Sequence, residues 1–168
     1  MQVLRVDQVH VKEEPLSRTQ LWWDHYFLRL ARLTATASKD PSTRVGAVIV
    51  DPERRVVSTG YNGAARGVRD DPERLADRDT RLRITIHAEV NAILFARRDL
   101  ADCVLYTFPF APCSPCAAVV VQTGICRVVA PPTPPPLAAR WGADLALAAE
   151  QFRDAGVTLD LIDLPLED

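Results

Sequence analysis

The feature that most constrains this chain is a pair of short ligand-bearing motifs, His87-Ala88-Glu89 and Pro112-Cys113-Ser114-Pro115-Cys116, with apolar segments between them. One imidazole and two thiolates are three protein ligands for zinc. Three leave the fourth tetrahedral position open to water, whereas structural zinc sites usually fill all four. A compatible fold must therefore bring the two motifs to one point. Glu89 follows His87 too closely to share its direction on a helix, which puts it beside the metal, where a carboxylate accepts a proton from activated water. A C-x-x-C alone fits a redox pair or half a zinc ribbon, but both motifs in this order are far more specific.

Hydrophobic periodicity arranges the remaining chain around those motifs. Residues 1–17 alternate valines and leucine with polar residues and fit either a short edge strand or an ordered arm. From Ser17 to Ser38 the pattern is helical, with Trp23, Phe27, Leu30, Ala31 and Thr34 inward and His25, Arg29, Arg32 and Thr36 on a solvated face. Strands are expected over Arg44–Val50 and Arg55–Gly60, joined as a hairpin by Asp51-Pro52-Glu53-Arg54. Gly60-Tyr61-Asn62-Gly63 then leaves the sheet on left-handed or tight backbone. Residues 64–86 read as a charged, exposed insert with a short helix over Pro72–Asp79. One helix begins near His87 and another spans Pro115–Thr123, the latter stopped by Gly124. Strands follow over Asp102–Thr107 and Arg127–Ala130. A proline-rich loop, 131–142, leads to a helix over Ala143–Ala155 and a last strand, Val157–Ile162. An initial hairpin followed by alternating helices and strands predicts a single domain, 1–168, built as a three-layer α/β/α sandwich on a mixed five-stranded sheet. Both ligand motifs then open helices, where the N-terminal dipole favours thiolates.

Composition narrows the partners. At 168 residues and 48% hydrophobic, the chain reads as one globular unit. Its formal charge of −2 creates no strong field for a polyanion, so a small substrate is expected rather than a nucleic-acid polymer. No apolar run reaches the ~18 residues of a membrane span, and the amino end lacks the order of a signal peptide; the expected compartment is the cytoplasm. In a reducing cytosol the cysteines are thiols or ligands. Cys103 and Cys126, beside apolar strand segments, read as buried structural thiols.

The order H-x-E then P-C-x-x-C is the signature of zinc-dependent nucleobase deaminases, in which the glutamate moves protons without ligating the metal. Ser38-Lys39-Asp40-Pro41-Ser42-Thr43-Arg44-Val45-Gly46-Ala47, Gly60-Tyr61-Asn62-Gly63-Ala64-Ala65-Arg66-Gly67, His87-Ala88-Glu89 and Pro112-Cys113-Ser114-Pro115-Cys116-Ala117 together resemble the deoxycytidylate (dCMP) deaminase family over about residues 20–130. The resemblance implies the cytidine-deaminase-like fold and hydrolysis of dCMP to dUMP and ammonia, with His87, Cys113 and Cys116 on one Zn²⁺ per chain and Glu89 as catalytic proton carrier. It also implies Asn62 on the sugar hydroxyl, the Ala88 backbone N–H on the base carbonyl, the Ser42-Thr43-Arg44 loop near the phosphate, and a homo-oligomer, dimer or hexamer. Read alone, Asn62 also fits a turn position, Arg44 and Arg66 fit solvated surface arginines, and Phe110 fits either base stacking or core packing. The sequence departs from the family at Ala65, where proline is usual, and in the aromatic stretch Thr107–Ala111. The alternatives are a deaminase of another nucleoside, nucleotide or amino-heterocycle, and a non-catalytic zinc-stabilised binding protein, for which Glu89 would have no use.

Overall fold

The computed structural model describes residues 18–165, so the arm expected over 1–17 lies outside the described residues. The elements run α1 (Gln20–Ala35), β1 (Gly46–Val50), β2 (Val56–Tyr61), β3 (Gly63–Ala64), α2 (Pro72–Ala76), α3 (Arg78–Ile84), β4 (Thr85–Ile86), α4 (Ala88–Ala96), β5 (Val104–Phe108), α5 (Ser114–Gln122), β6 (Arg127–Ala130), α6 (Pro135–Asp154) and β7 (Thr158–Leu161). Five strands form one sheet in the order β2-β1-β5-β6-β7. β1 is antiparallel to β2 and β5, while β5–β6 and β6–β7 are parallel. The expected mixed five-stranded sheet is therefore present.

Its strand side chains divide between two layers by the period of two. Val48, Val50, Tyr106 and Val129 pack under Phe27, Leu28 and Ala31 of α1. Their neighbours Ala47, Ile49, Leu105 and Val128 face the opposite way, against α4, α5 and α6. β1 is buried along its whole length, which explains its unbroken apolar sequence. Asp51 makes the hairpin turn: its carboxylate accepts the N–H groups of Glu53 and Arg55 at 3.1 and 3.0 Å.

Two glycines set how closely the helices approach. A Cβ on Gly60 would collide with the Ala88 carbonyl and the Ala92 nitrogen of α4, and one on Gly46 with backbone of Ala31 and Ala35 in α1. Only hydrogen fits in either place. Gly60 thus serves close packing within β2, and neither it nor Gly63 has positive φ. Ser58 Oγ donates to Ala92 O at 2.6 Å and Asn91 Nδ2 to Tyr61 O at 2.8 Å, which fix the start of α4 on β2.

Several local expectations are corrected. α6 starts at Pro135 rather than Ala143, so the loop expected over 131–142 ends at Pro134; prolines in a first helical turn lack an N–H that would have had no partner there. The single insert helix is two, because Asp71 and Asp77 each cap a new start by accepting from Arg74 N–H and Thr80 N–H. The insert is not wholly exposed: Arg81 is buried. Cys103 is buried as expected, but Cys126, one residue before β6, is exposed. His25 is half-buried and its Nε2 lies 3.1 Å from Asp163 O, so it is not simply solvated.

Candidate metal centre and active-site pocket

His87 and Cys113 are the N-cap residues of α4 and α5, both in extended backbone conformation and neither making a side-chain capping bond. Freed from capping, the two side chains point at one another. Pro115 sits in the first turn of α5, and Cys116 lies in the same turn. The Sγ atoms of Cys113 and Cys116 lie 3.3 and 3.2 Å from His87 Nδ1, and all three donor atoms fall within 4.8 Å of one another. Tetrahedral zinc with bonds of about 2.3 Å to sulfur and about 2.0 Å to nitrogen separates such atoms by roughly 3.5 Å. Donor chemistry and spacing therefore fit zinc, and the fold brings together the three predicted ligands.

Charge is concentrated at this point. The Cys113 thiol is drawn down to about 5 by its hydrogen bond with Cys116, against the effect of burial, and His87 adds to the fall. Cys116 is pushed up by the same neighbour. A zinc ion held here would take both sulfurs as thiolates, because a coordinating thiol is deprotonated outright. The hydrogen bond to Cys113 also raises His87. Glu89 is 3% exposed. Burial pushes its carboxyl above the ordinary range, and the Cys113 charge pushes it further. A carboxyl held in this way carries protons more readily than a solvated one.

One pocket lies against this cluster. Its lining includes His87, Ala88, Glu89 and Cys113, with Ser42, Thr43, Asn62 and Phe110 from the predicted substrate set. Asn62 reaches it because β3 and β4 pair, Gly63 opposite Ile86 and Ala64 opposite Thr85, which closes the insert at its base. The Asn62 amide is engaged by backbone: Oδ1 accepts Val45 N–H at 2.8 Å and Nδ2 donates to Thr43 O at 3.0 Å. It is therefore a clamp on the loop before β1 and not a positive-φ turn residue. Thr107 Oγ1 donates to Phe110 O at 2.9 Å and fixes the aromatic loop.

Arg44 is exposed and absent from the pocket lining, as is Arg66. Arginines missed by sequence reasoning stand there instead: Arg78 and Arg81 from α3, and Arg140, with Trp141, from α6. Arg78, Arg81 and Leu82 follow helical spacing, a signal that was available once α3 was recognised. Arg140 and Trp141 were hidden by the proline-rich stretch, which reads as loop. Asp144 of α6 was missed too. Its carboxylate accepts the Ser114 N–H at 2.9 Å and the Ser114 hydroxyl, tying α6 to the start of α5.

Comparison with known proteins agrees with this geometry. The sequence profile of the cytidine and deoxycytidylate deaminase zinc-binding region matches residues 21–131. An uncharacterized deaminase from the luxG 3′ region of Aliivibrio fischeri is 41% identical over 144 residues, 86% of this chain and 96% of that protein. Human deoxycytidylate deaminase is 41% identical over 115 residues, and the aligned part spans 64% of its length. The crystal structure of dCMP deaminase from the cyanophage S-TIM5 in complex with dCMP and dUMP has a TM-score of 0.66 at 17% identity, over 86% of this chain and all of that one, a likeness of fold. The chain belongs to the zinc-binding cytidine and deoxycytidylate deaminase family.

Proposed function

We propose that the protein hydrolyses the exocyclic amine of a cytosine nucleotide, dCMP, to give dUMP and ammonia. The observation that carries this reading is the buried carboxyl of Glu89 beside the His87–Cys113–Cys116 cluster, both facing one pocket. Zinc held by His87 Nδ1 and the two sulfurs would supply the Lewis acid that makes water a nucleophile near neutral pH. Glu89 takes a proton from the attacking water and delivers it to the ring nitrogen N3. It then moves the second proton to the departing amine as the C4–N bond breaks and C4–O remains. The Ala88 N–H, in the first turn of α4, is suited to the base carbonyl. Phe110 offers the base a ring face. Asn62 keeps a second amide hydrogen for the sugar hydroxyl after bonding Thr43 O. Relatives named deoxycytidylate deaminase, the human protein among them, support dCMP over other amines.

A reducing, cytoplasmic setting suits this chemistry, since Cys113 and Cys116 serve as thiolates and not as a disulfide. No described helix is long and apolar enough to cross a membrane. A homo-oligomer, dimer or hexamer, is supported by Leu94 and Phe95 of α4, which are 60% and 52% exposed.

The test is substitution at the cluster. Glu89→Gln keeps the fold and one zinc per chain while deamination falls by about 10²–10⁴-fold or more. Cys113→Ala loses zinc and thermal stability together. Metal content by mass spectrometry and ammonia release from dCMP read both; near-normal turnover by the Glu89→Gln protein would falsify the mechanism.

A further inference from the structure

Two helices open on the metal centre, and neither is capped by its own N-cap side chain, since His87 and Cys113 are both turned to the ligand cluster. At α5 a residue of another helix takes over that task. Pro115 brings no N–H to the first turn, which leaves Ser114 and Cys116 with the free donors there. Asp144 of α6 accepts the Ser114 N–H on Oδ2 at 2.9 Å and the Ser114 hydroxyl on Oδ1. The residue gripped in this way follows Cys113 directly and precedes Cys116 by two positions. A carboxylate at this end also complements the helix dipole. Core packing holds Asp144 in turn. It lies one turn before Ala148 and two before Phe152, on the α6 face that carries those two buried side chains into the core with Ala117 and Val120 of α5. Among the described residues the ligand group is His87, Cys113 and Cys116, so Asp144 stands behind the ligands and not among them.

An N-cap side chain ordinarily spends its acceptor on the first N–H groups of its helix. A cysteine that must give its lone pairs to a metal cannot do both, and a helix start without another acceptor would compete for the sulfur. Asp144 removes that competition from outside the helix. Resting on the zinc-centre reading above, and not on the choice of nucleotide, we propose that Asp144 is a positioning residue for the metal: by capping α5 from α6, it leaves Cys113 to the ion and holds the turn that carries both sulfurs. Outer groups that orient metal ligands are worth roughly 10–100-fold in metal affinity. α6 lies beyond residues 21–131, the part of the chain that the family profile matches, so the tether joins the shared ligand region to a helix outside it. Because Ser114 and Asp144 are 30 residues apart in sequence, the ligand turn is fixed only once α6 has packed on α5.

The experiment uses the full chain loaded with zinc, or with cobalt(II), whose absorption bands report thiolate ligation and geometry. Zinc affinity is read by competition with a chromophoric chelator. Asp144→Ala weakens it by roughly 10–100-fold and shifts the cobalt bands. Asp144→Asn, which keeps an acceptor for one Ser114 donor, falls between that variant and the parent. Ser114→Ala loses the hydroxyl but keeps the backbone N–H, so it weakens binding less than Asp144→Ala. Phe152→Leu loosens α6 without touching the tether and serves as the control: its melting midpoint falls while metal affinity and spectrum stay those of the parent. If Asp144→Ala binds zinc as tightly as the parent, or if Phe152→Leu loses as much affinity at an equal drop in midpoint, the positioning role is overturned. Should Asp144→Ala fail to fold, Asp144→Asn and Ser114→Ala carry the test, and parental affinity in both overturns it. A parent protein that takes up neither metal overturns the zinc-centre reading and this role with it, an outcome distinct from a tightly loaded parent with an unaffected variant.

Discussion

Both ends of the Asn62 amide are committed to the loop that precedes β1, and the side chain is 6% exposed. Asn62→Ala strands the Val45 N–H and the Thr43 carbonyl near the pocket floor, at a cost of about 1–3 kcal/mol each where water cannot replace the bond. The expected result is a melting midpoint several degrees lower, together with weaker dCMP binding because Thr43 loses the bond to its carbonyl and keeps only that of its N–H to Asp40. A midpoint identical to the parent's would remove the clamp. At this scale the sequence was legible where chemistry alone restricts the residue: His87, Cys113 and Cys116 converge and Glu89 lies buried beside them, and few residue types bind zinc or shuttle protons. Arg44 is exposed and lies outside the pocket lining that Ser42 and Thr43 join, and any exposed arginine in a loop fits a phosphate on paper. Arg81 was missed for another reason: its helical spacing with Arg78 and Leu82 emerges only once Asp77 is read as the cap of a second helix in the insert.

Among the elements, the contact between β2 and α4 has the least slack. Gly60→Ala places a methyl against the Ala88 carbonyl, which is backbone and cannot rotate away. Overpacking of this kind costs about 1–3 kcal/mol or more, and relief requires α4 to move off the sheet, taking its N-cap His87 with it. Lower thermal stability and weaker zinc retention against a chelator should therefore appear together; loss of stability with unchanged zinc affinity would mean that α4 yields elsewhere. The strands and α1, α4 and α5 were legible from period and caps, within a few residues. α6 was not, because prolines that start a helix and prolines that form a loop have the same composition, and only the following residues' packing on α5 and β7 distinguishes them.

For the molecule as a whole, one ion network centred on the buried Asp24 joins the helical layer of α1 to the parallel half of the sheet. Arg127 of β6 donates to both oxygens of Asp24 at 2.8 and 2.9 Å, Tyr106 OH donates to Asp24 at 2.8 Å, and Arg127 Nε donates to Asp160 at 2.7 Å. Burial pushes the Asp24 carboxyl up, but the bonds from Arg127, Tyr106 and Gln20 outweigh it and hold the group below its ordinary range. A carboxyl depressed in the folded state adds stability that is complete above the unfolded value, about 3.9, and is lost as pH falls through the folded value. Asp24→Asn should cost about 3 kcal/mol at pH 7, the low end for breaking a buried pair because Asp160 still faces Arg127. The difference should shrink below about pH 4, which melts recorded from pH 7 to pH 2 will show. A gap that stays constant with pH excludes Asp24 as its source.

Gly46 and Gly60 occupy neighbouring strands on opposite faces of the sheet, one beneath α1 and the other beneath α4. At that edge the two helical layers are separated by little more than the peptide planes themselves. A displacement of α1 has no cushion of side chains to absorb it there, so it would be felt directly at the turn that presents His87. Substitutions in α1 facing Gly46, remote from any reacting atom, should on that ground disturb metal retention more than equally buried changes beneath β7.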